Sequence, residues 1–182
     1  MSHDELILEE NEENDLALVW MNGLNLKYVK NQTEKICLVA INENGYALEF
    51  VKNQTAIICT AAVLLNGRAL QFVKNQTEAL CLLAVEENPK ALKFVKDQTE
   101  EICLMAVRKD GYALEFVKNQ TEKICLVAVE QDGCALKFVR NQTKEICLAA
   151  IRNDTDALEY INNQTEKNRI ITCLSADDWI KL

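Results

Sequence analysis

The chain has 182 residues, of which 49% are hydrophobic and 26% are charged, and its formal net charge is −8. This apolar content, with five glycines and one proline, excludes a disordered or collagen-like chain. The negative charge argues against a nucleic-acid backbone as the main partner, because phosphate binding needs a surplus of lysine and arginine on one face.

The first ten residues are predicted to be neither a leader nor an anchor. They are acidic and lack the basic and apolar regions of a signal peptide. No apolar run in the chain approaches the ~18 residues that a membrane-spanning helix needs. We therefore expect a soluble, cytoplasmic protein without membrane association.

A 22-residue tandem repeat organises the chain. The tripeptide Asn-Gln-Thr marks each copy, and Asp97-Gln98-Thr99 replaces it once; the other copies start at Asn31, Asn53, Asn75, Asn119, Asn141 and Asn163. After an N-terminal lead segment, residues 1–8, a single domain is predicted over residues 9–182. Its eight repeats are 9–30, 31–52, 53–74, 75–96, 97–118, 119–140, 141–162 and 163–182.

The apolar spacing within each repeat predicts a long helix followed by a short one. In residues 36–41 the apolar side chains recur at steps of one, three and four, which is typical of a helix and not of a strand. Thr33 precedes this stripe as an N-cap, with Glu34 in the first turn. The same spacing over residues 47–51 fits about two turns of α or 3₁₀ helix.

The turn between the two helices has a distinctive pair of columns. The first column is always Asn or Asp, and the second is Gly except at Pro89 and Thr155. Glycine alone would suggest a left-handed C-cap for the long helix. Since proline cannot adopt a positive φ, the pair is better interpreted as the N-cap and first residue of the short helix.

These elements predict an all-α fold, an α-solenoid of eight helix–turn–short-helix repeats that stack on their neighbours. Polar residues replace the interior Ile-Cys pair at Asn14-Asp15 and Asn168-Arg169, as expected of capping repeats. The alternative is a leucine-rich-type α/β horseshoe in which Ala-Leu-x-Phe-Val forms a strand. The apolar spacing of Ala-Leu-x-Phe-Val fits a helix better than a strand.

The segment ALEFVKNQTEKICLVAV at residues 113–129 resembles an uncharacterised short-repeat domain that is abundant in mimivirus-like giant viruses and some bacteria. The resemblance covers roughly residues 23–167. It implies a viral protein that acts inside an amoebal host cell, and it supplies no catalytic residues. The architecture also resembles leucine-rich variant repeats, which alternate α and 3₁₀ helices.

The cysteines are predicted to be core residues. One cysteine per repeat, spaced 22 residues apart, does not match the paired spacing of metal ligands or the close approach that a disulfide needs. A buried thiol behaves as a small apolar side chain. The repeat-core column is Cys37, Cys59, Cys81, Cys103, Cys125 and Cys147.

The sequence contains few residues of the types that carry out catalysis. The histidine is His3 and the serines are Ser2 and Ser175, so no Ser-His or Cys-His dyad is plausible. No glycine-rich phosphate loop occurs. We expect no enzyme activity, catalytic residue, cofactor, metal site or small-molecule substrate.

Two further columns each allow two interpretations. Asn-Gln-Thr is formally a glycosylation acceptor, but we expect its threonine to cap a helix and its amides to form a hydrogen-bonded ladder between repeats. A basic column could follow an anionic polymer, or it could end the short helices and pair with neighbouring glutamates. That column is Lys30, Lys52, Lys74, Lys96, Lys118 and Arg140.

Apolar residues also occupy surface columns in the N-terminal third. Ile57, Leu64 and Leu65 stand where most other repeats carry charged or polar side chains, and Trp20 and Met21 share the last two columns. We expect a protein-binding surface here, used with another protein or in a homodimer, unless Leu6, Ile7 and Leu8 fold back over it. The alternative functions are a structural spacer in a viral particle and an anion-polymer binder along the basic column.

Overall fold

The computed structural model describes the backbone of residues 3–173 and the side chains of residues 12–165, 167, 168 and 170. Residues 174–182, predicted to complete the last repeat, lie outside this description. The chain forms two compact units, residues 1–96 and 97–182, whose boundary falls between two repeats. Among the described residues, no helix is long and apolar enough to cross a membrane.

The described residues form α-helices alternating with six-residue 3₁₀ helices, and they contain no strand. The all-α solenoid is therefore confirmed. The horseshoe alternative is wrong, because Ala-Leu-x-Phe lies within the 3₁₀ helices. The α-helices are α1 His3–Met21, α2 Glu34–Glu43, α3 Ala56–Leu65, α4 Glu78–Glu87, α5 Glu100–Lys109, α6 Glu122–Gln131, α7 Lys144–Asn153 and α8 Gln164–Cys173. The 3₁₀ helices are η1 Gly23–Tyr28, η2 Gly45–Phe50, η3 Gly67–Phe72, η4 Pro89–Phe94, η5 Gly111–Phe116, η6 Gly133–Phe138 and η7 Thr155–Tyr160.

The predicted caps are present at the helix starts. Thr33 Oγ1 accepts a hydrogen bond from Ile36 N at 3.3 Å, and the equivalent threonines cap α3 to α7. Asn44 caps η2 through a 3.0 Å bond from Tyr46 N to its Oδ1. No described residue has a positive φ, so the turn glycines are not left-handed caps. Pro89 begins η4, as its fixed φ favours.

α1 begins at His3, so residues 3–8 of the predicted lead segment are helical and continuous with the long helix of the first repeat. Residues 3–21 contain no glycine or proline to interrupt a helix.

Within each unit the repeats stack through three kinds of contact. Consecutive α-helices pack together, consecutive 3₁₀ helices pack together, and each 3₁₀ helix also packs on the next α-helix. The core consists of the Ile-Cys and Ala-Val positions of the α-helices and the Ala-Leu and Val positions of the 3₁₀ segments, nearly all fully buried. Each repeat thus buries its apolar face mainly against its neighbours.

A glutamine ladder joins successive repeats. Gln32 Nε2 donates to Leu26 O at 3.2 Å in its own short-helix segment and to Phe50 O at 3.0 Å one repeat later. Its Oε1 accepts from Lys52 N at 2.9 Å. Gln54, Gln76, Gln120 and Gln142 repeat this pattern. The predicted ladder is therefore formed by the glutamines, while the preceding Asn31 is exposed.

Candidate functional site

The α3 helix carries an apolar stripe on its outward face. Its inward side chains, at positions 58, 59, 62 and 63, are buried in the core. Ile57, Leu64 and Leu65 are 62%, 51% and 54% exposed. Positions 57, 61, 64 and 65 share one face of an α-helix, and none of the ten residues of α3 is charged. The stripe therefore runs the length of the helix.

The repeat itself does not require this apolar face. At the columns of Ile57 and Leu64, other α-helices carry polar or charged residues almost throughout. In the same unit these are Lys35, Asn42 and Glu86, and in the second unit they are Glu101, Arg108, Lys123, Glu130, Glu145 and Arg152. Contiguous exposed apolar side chains on a stacked repeat are typical of interaction surfaces.

Trp20 and Met21 do not join this stripe. They are 71% and 82% exposed at the end of α1. Because α1 packs on α2 and α2 packs on α3, the exposed side chains of Asn42 and Glu43 on α2 separate them from Leu64 and Leu65. The five predicted residues form two patches, of which the one on α3 has three members.

Residues 6–8 do not fold back over Trp20 and Met21. A continuous helix from His3 to Met21 carries residues 6–8 roughly 20 Å from its own C-terminal end, at 1.5 Å per residue. Both patches are exposed among the described residues.

A groove lies beside the stripe, between the N-terminal halves of α3 and α4. Its volume is about 630 Å³, and its apolar wall includes Ala56, Ala79, Leu80 and Leu83. Lys52 and Lys74 line the same groove. This groove was not predicted from the sequence. The available signal was the loss of the usual Glu at position 56 together with a second alanine, Ala79, in the next repeat.

The equivalent groove between α6 and α7 of the second unit is smaller and differently charged. Its volume is about 350 Å³, and Glu122 lies in it together with Lys118 and Arg140. Glu122 occupies the column of Ala56. The α3–α4 groove therefore combines a larger volume with the absence of that carboxylate from its lining.

The basic column is engaged with the main chain. Lys52 Nζ donates to Lys30 O at 2.8 Å, Lys74 Nζ to Lys52 O at 3.0 Å and Lys96 Nζ to Lys74 O at 2.8 Å. In the second unit, Arg140 Nη1 donates to Lys118 O at 2.7 Å. These side chains donate to carbonyls just after the preceding short helix, which have no partner within that helix.

The six repeat-core cysteines are all buried, with exposed fractions of 1–6%. They are free thiols, and the described residues contain no group of three or more side chains suited to hold a metal ion. Burial raises the pKa of the Cys37, Cys59, Cys103 and Cys125 thiols. Desolvation disfavours the thiolate, the nucleophilic form, so these thiols are poor nucleophiles.

Comparison with known proteins supports the repeat. Residues 77–121, 99–144 and 121–165 each match the model of a family described as "Domain of unknown function (DUF4116)". The matches begin 22 residues apart, and their bounds show that each spans about two repeats. The chain carries a tandem-repeat domain of unknown function. The apolar stripe of α3 lies outside the residues that match DUF4116. No curated protein and no solved structure matches the chain.

The raised thiol pKa values predict a loss of stability in alkaline solution. An unfolded thiol titrates near about 8.5. Because the pKa of each thiol is higher in the folded state, these thiols stabilise the fold below that pH. This contribution to the free energy of unfolding is lost as the pH rises toward the folded-state pKa. Urea unfolding followed by circular dichroism from pH 7.5 to 10 should show this decline, with each thiol contributing up to about 1.4 kcal/mol per pH unit.

The control is the double variant Cys103→Ala/Cys125→Ala in the second unit. The quantity compared is the slope of the free energy of unfolding against pH, and not the absolute stability. A slope equal to that of the wild-type chain would contradict the assignment to these thiols.

Proposed function

We propose that this chain is a non-enzymatic repeat scaffold that mediates protein–protein interaction through the outward face of α3, and that a second copy is its partner. The observation that carries the proposal is the uncharged α3 helix, whose Ile57, Leu64 and Leu65 are each more than half exposed. The same columns elsewhere are mostly charged or polar.

The stacked repeats suit this role because they present the face rigidly. Glutamine and lysine side chains bridge neighbouring repeats through main-chain carbonyls, so little ordering accompanies association. Burying a large aliphatic side chain contributes about 1.5–3 kcal/mol when it was fully exposed, and less here because these are partly covered. Three such side chains on one helix provide a small apolar centre for an interface.

A non-enzymatic role is supported by composition and by the thiols. The sequence has one histidine, which limits general acid–base chemistry. The repeat-core thiols are buried, and burial raises the pKa of four of them, which disfavours nucleophilic catalysis.

The test is size-exclusion chromatography with light scattering over a concentration series under reducing conditions. We expect the wild-type mass to rise toward two chains with concentration. The variant Ile57→Glu/Leu64→Glu should remain a monomer, because two buried, unpaired carboxylates would oppose the interface. Its circular dichroism spectrum should be unchanged, since both positions face solvent.

The matched control is Arg108→Glu on α5. It lowers the net charge by the same amount, by replacing one cation with one anion, and it gives α5 glutamates at both equivalent columns, since Glu101 is already present. This variant should associate like the wild-type chain. Association of Ile57→Glu/Leu64→Glu with wild-type affinity would exclude the α3 face, and a wild-type monomer at every concentration would exclude a second copy as the partner.

A further inference from the structure

The groove between α3 and α4 presents two cations without a neighbouring carboxylate in its lining. Lys52 Nζ and Lys74 Nζ are held by main-chain carbonyls, which fix the ammonium groups but leave their charge. Neither lysine forms an ion pair with a described carboxylate. The charge of Lys74 reaches into the site, because it lowers the pKa of Cys59 against the larger raising effect of burial.

The second unit shows what the groove has lost. There burial raises the pKa of Cys125, Arg140 lowers it, and Glu122 raises it and so opposes Arg140. In the α3–α4 groove, Ala56 replaces that glutamate, so an apolar wall and two ammonium groups face a space of about 630 Å³. An acidic ligand with aliphatic side chains matches both features.

The chain contains a segment of this chemistry at the start of α1. Residues 3–13 read HDELILEENEE, six acidic residues with a Leu-Ile-Leu run. α1 begins nine residues before Glu12, the residue that corresponds to the first residue of α2. At 1.5 Å per residue, this segment extends about 13 Å beyond the first turn of the helix on which α1 packs.

Within one chain, α2 lies between α1 and α3, so two interhelical spacings of roughly 8–10 Å each separate the acidic segment from the groove of its own unit. We infer that the α3–α4 groove binds residues 3–13 of a second copy, with acidic side chains at Lys52 and Lys74 and aliphatic side chains on Ala79, Leu80 and Leu83. The contact is reciprocal in a two-fold dimer. This inference rests on the proposed self-association and names the segment that extends the α3 interface.

The test uses a fluorescently labelled peptide of residues 3–13, titrated with the full chain and followed by anisotropy at low salt. We expect saturable binding that weakens at higher ionic strength. Ala56→Glu restores the residue that most other repeats carry and should weaken binding at least about tenfold, by placing a carboxylate in the groove. The Tm of this variant should be unchanged or higher, since a glutamate in the first turn of a helix interacts favourably with the helix dipole.

Two controls separate charge from volume. Ala56→Gln introduces an uncharged side chain of nearly the same size as the one introduced by Ala56→Glu, and it should weaken binding much less. A peptide with its glutamates replaced by glutamine should bind the wild-type chain weakly and be insensitive to Ala56→Glu. Absence of peptide binding, or equal binding by Ala56→Glu and the wild-type chain, would overturn the inference. Loss of dimerisation in Ile57→Glu/Leu64→Glu would then still support the α3 face.

Discussion

Replacing Gln120 with alanine should lower the free energy of unfolding of the second unit by about 2–4 kcal/mol. Its Nε2 donates to Leu114 O at 3.3 Å and to Phe138 O at 2.9 Å, and its Oε1 accepts from Arg140 N at 3.0 Å. Alanine leaves two carbonyls and one amide without this partner. Each unsatisfied group costs about 1–3 kcal/mol when buried, and partial solvent access keeps the total below the sum.

Urea unfolding followed by circular dichroism measures this effect. The matched control is Asn119→Ala, the exposed neighbour of Gln120 in the same tripeptide, which should change stability by less than about 0.5 kcal/mol. Equal losses in the two variants would show that the glutamine ladder does not stabilise the stack.

The repeat and its helices could be predicted from the sequence because their signals are local. A 22-residue period, threonine N-caps and the Asn-Pro pair at residues 88 and 89 each depend on neighbouring residues of one copy. The start of α1 could not be placed in the same way, since the lead segment lies outside the repeat period. No glycine or proline interrupts residues 3–21, which permits a continuous helix but does not mark where it begins.

Contacts between repeats were harder to predict, because residues at equivalent positions of different repeats need not be close together in the structure. Trp20 and Leu64 share a column but lie two repeats apart, with α2 between them. The basic column was ambiguous for a related reason. Its partners are main-chain carbonyls, such as Lys30 O for Lys52, and no sequence pattern displays a carbonyl's position.

The candidate site was predicted in part. The stripe on α3 follows from helical periodicity and from the departure of one repeat from the others. The groove depends on two different helices at once, because Ala56 on α3 and Ala79 on α4 open the same space. The sequence alone does not show that these two alanines line the same groove, because this depends on how the repeats stack.

Gly67→Ala should destabilise the first unit by about 1–3 kcal/mol, because a methyl group there has no room. A Cβ at Gly67 would lie well inside van der Waals contact with Ala84 O and 3.2 Å from both the N and Cβ of Asn88. The backbone is not responsible, since no described residue has a positive φ. Alanine would otherwise add about 0.4–1 kcal/mol by restricting the unfolded chain. The cost therefore measures how closely a short helix approaches the next long helix.

Gly45→Ala, one repeat earlier in the same unit, is the matched control. Its Cβ would lie 3.2 Å from Ala62 O and 3.4 Å from Asn66 Cβ, a contact that small shifts can relieve. We expect this variant to unfold within about 1 kcal/mol of the wild-type chain. If both variants lose the same stability, the local distance to the facing carbonyl is not what selects glycine, and the column would instead reflect a requirement common to every turn. A larger loss for Gly67→Ala alone would show that the cost is set by the local distance to the facing carbonyl, which differs between these two repeats.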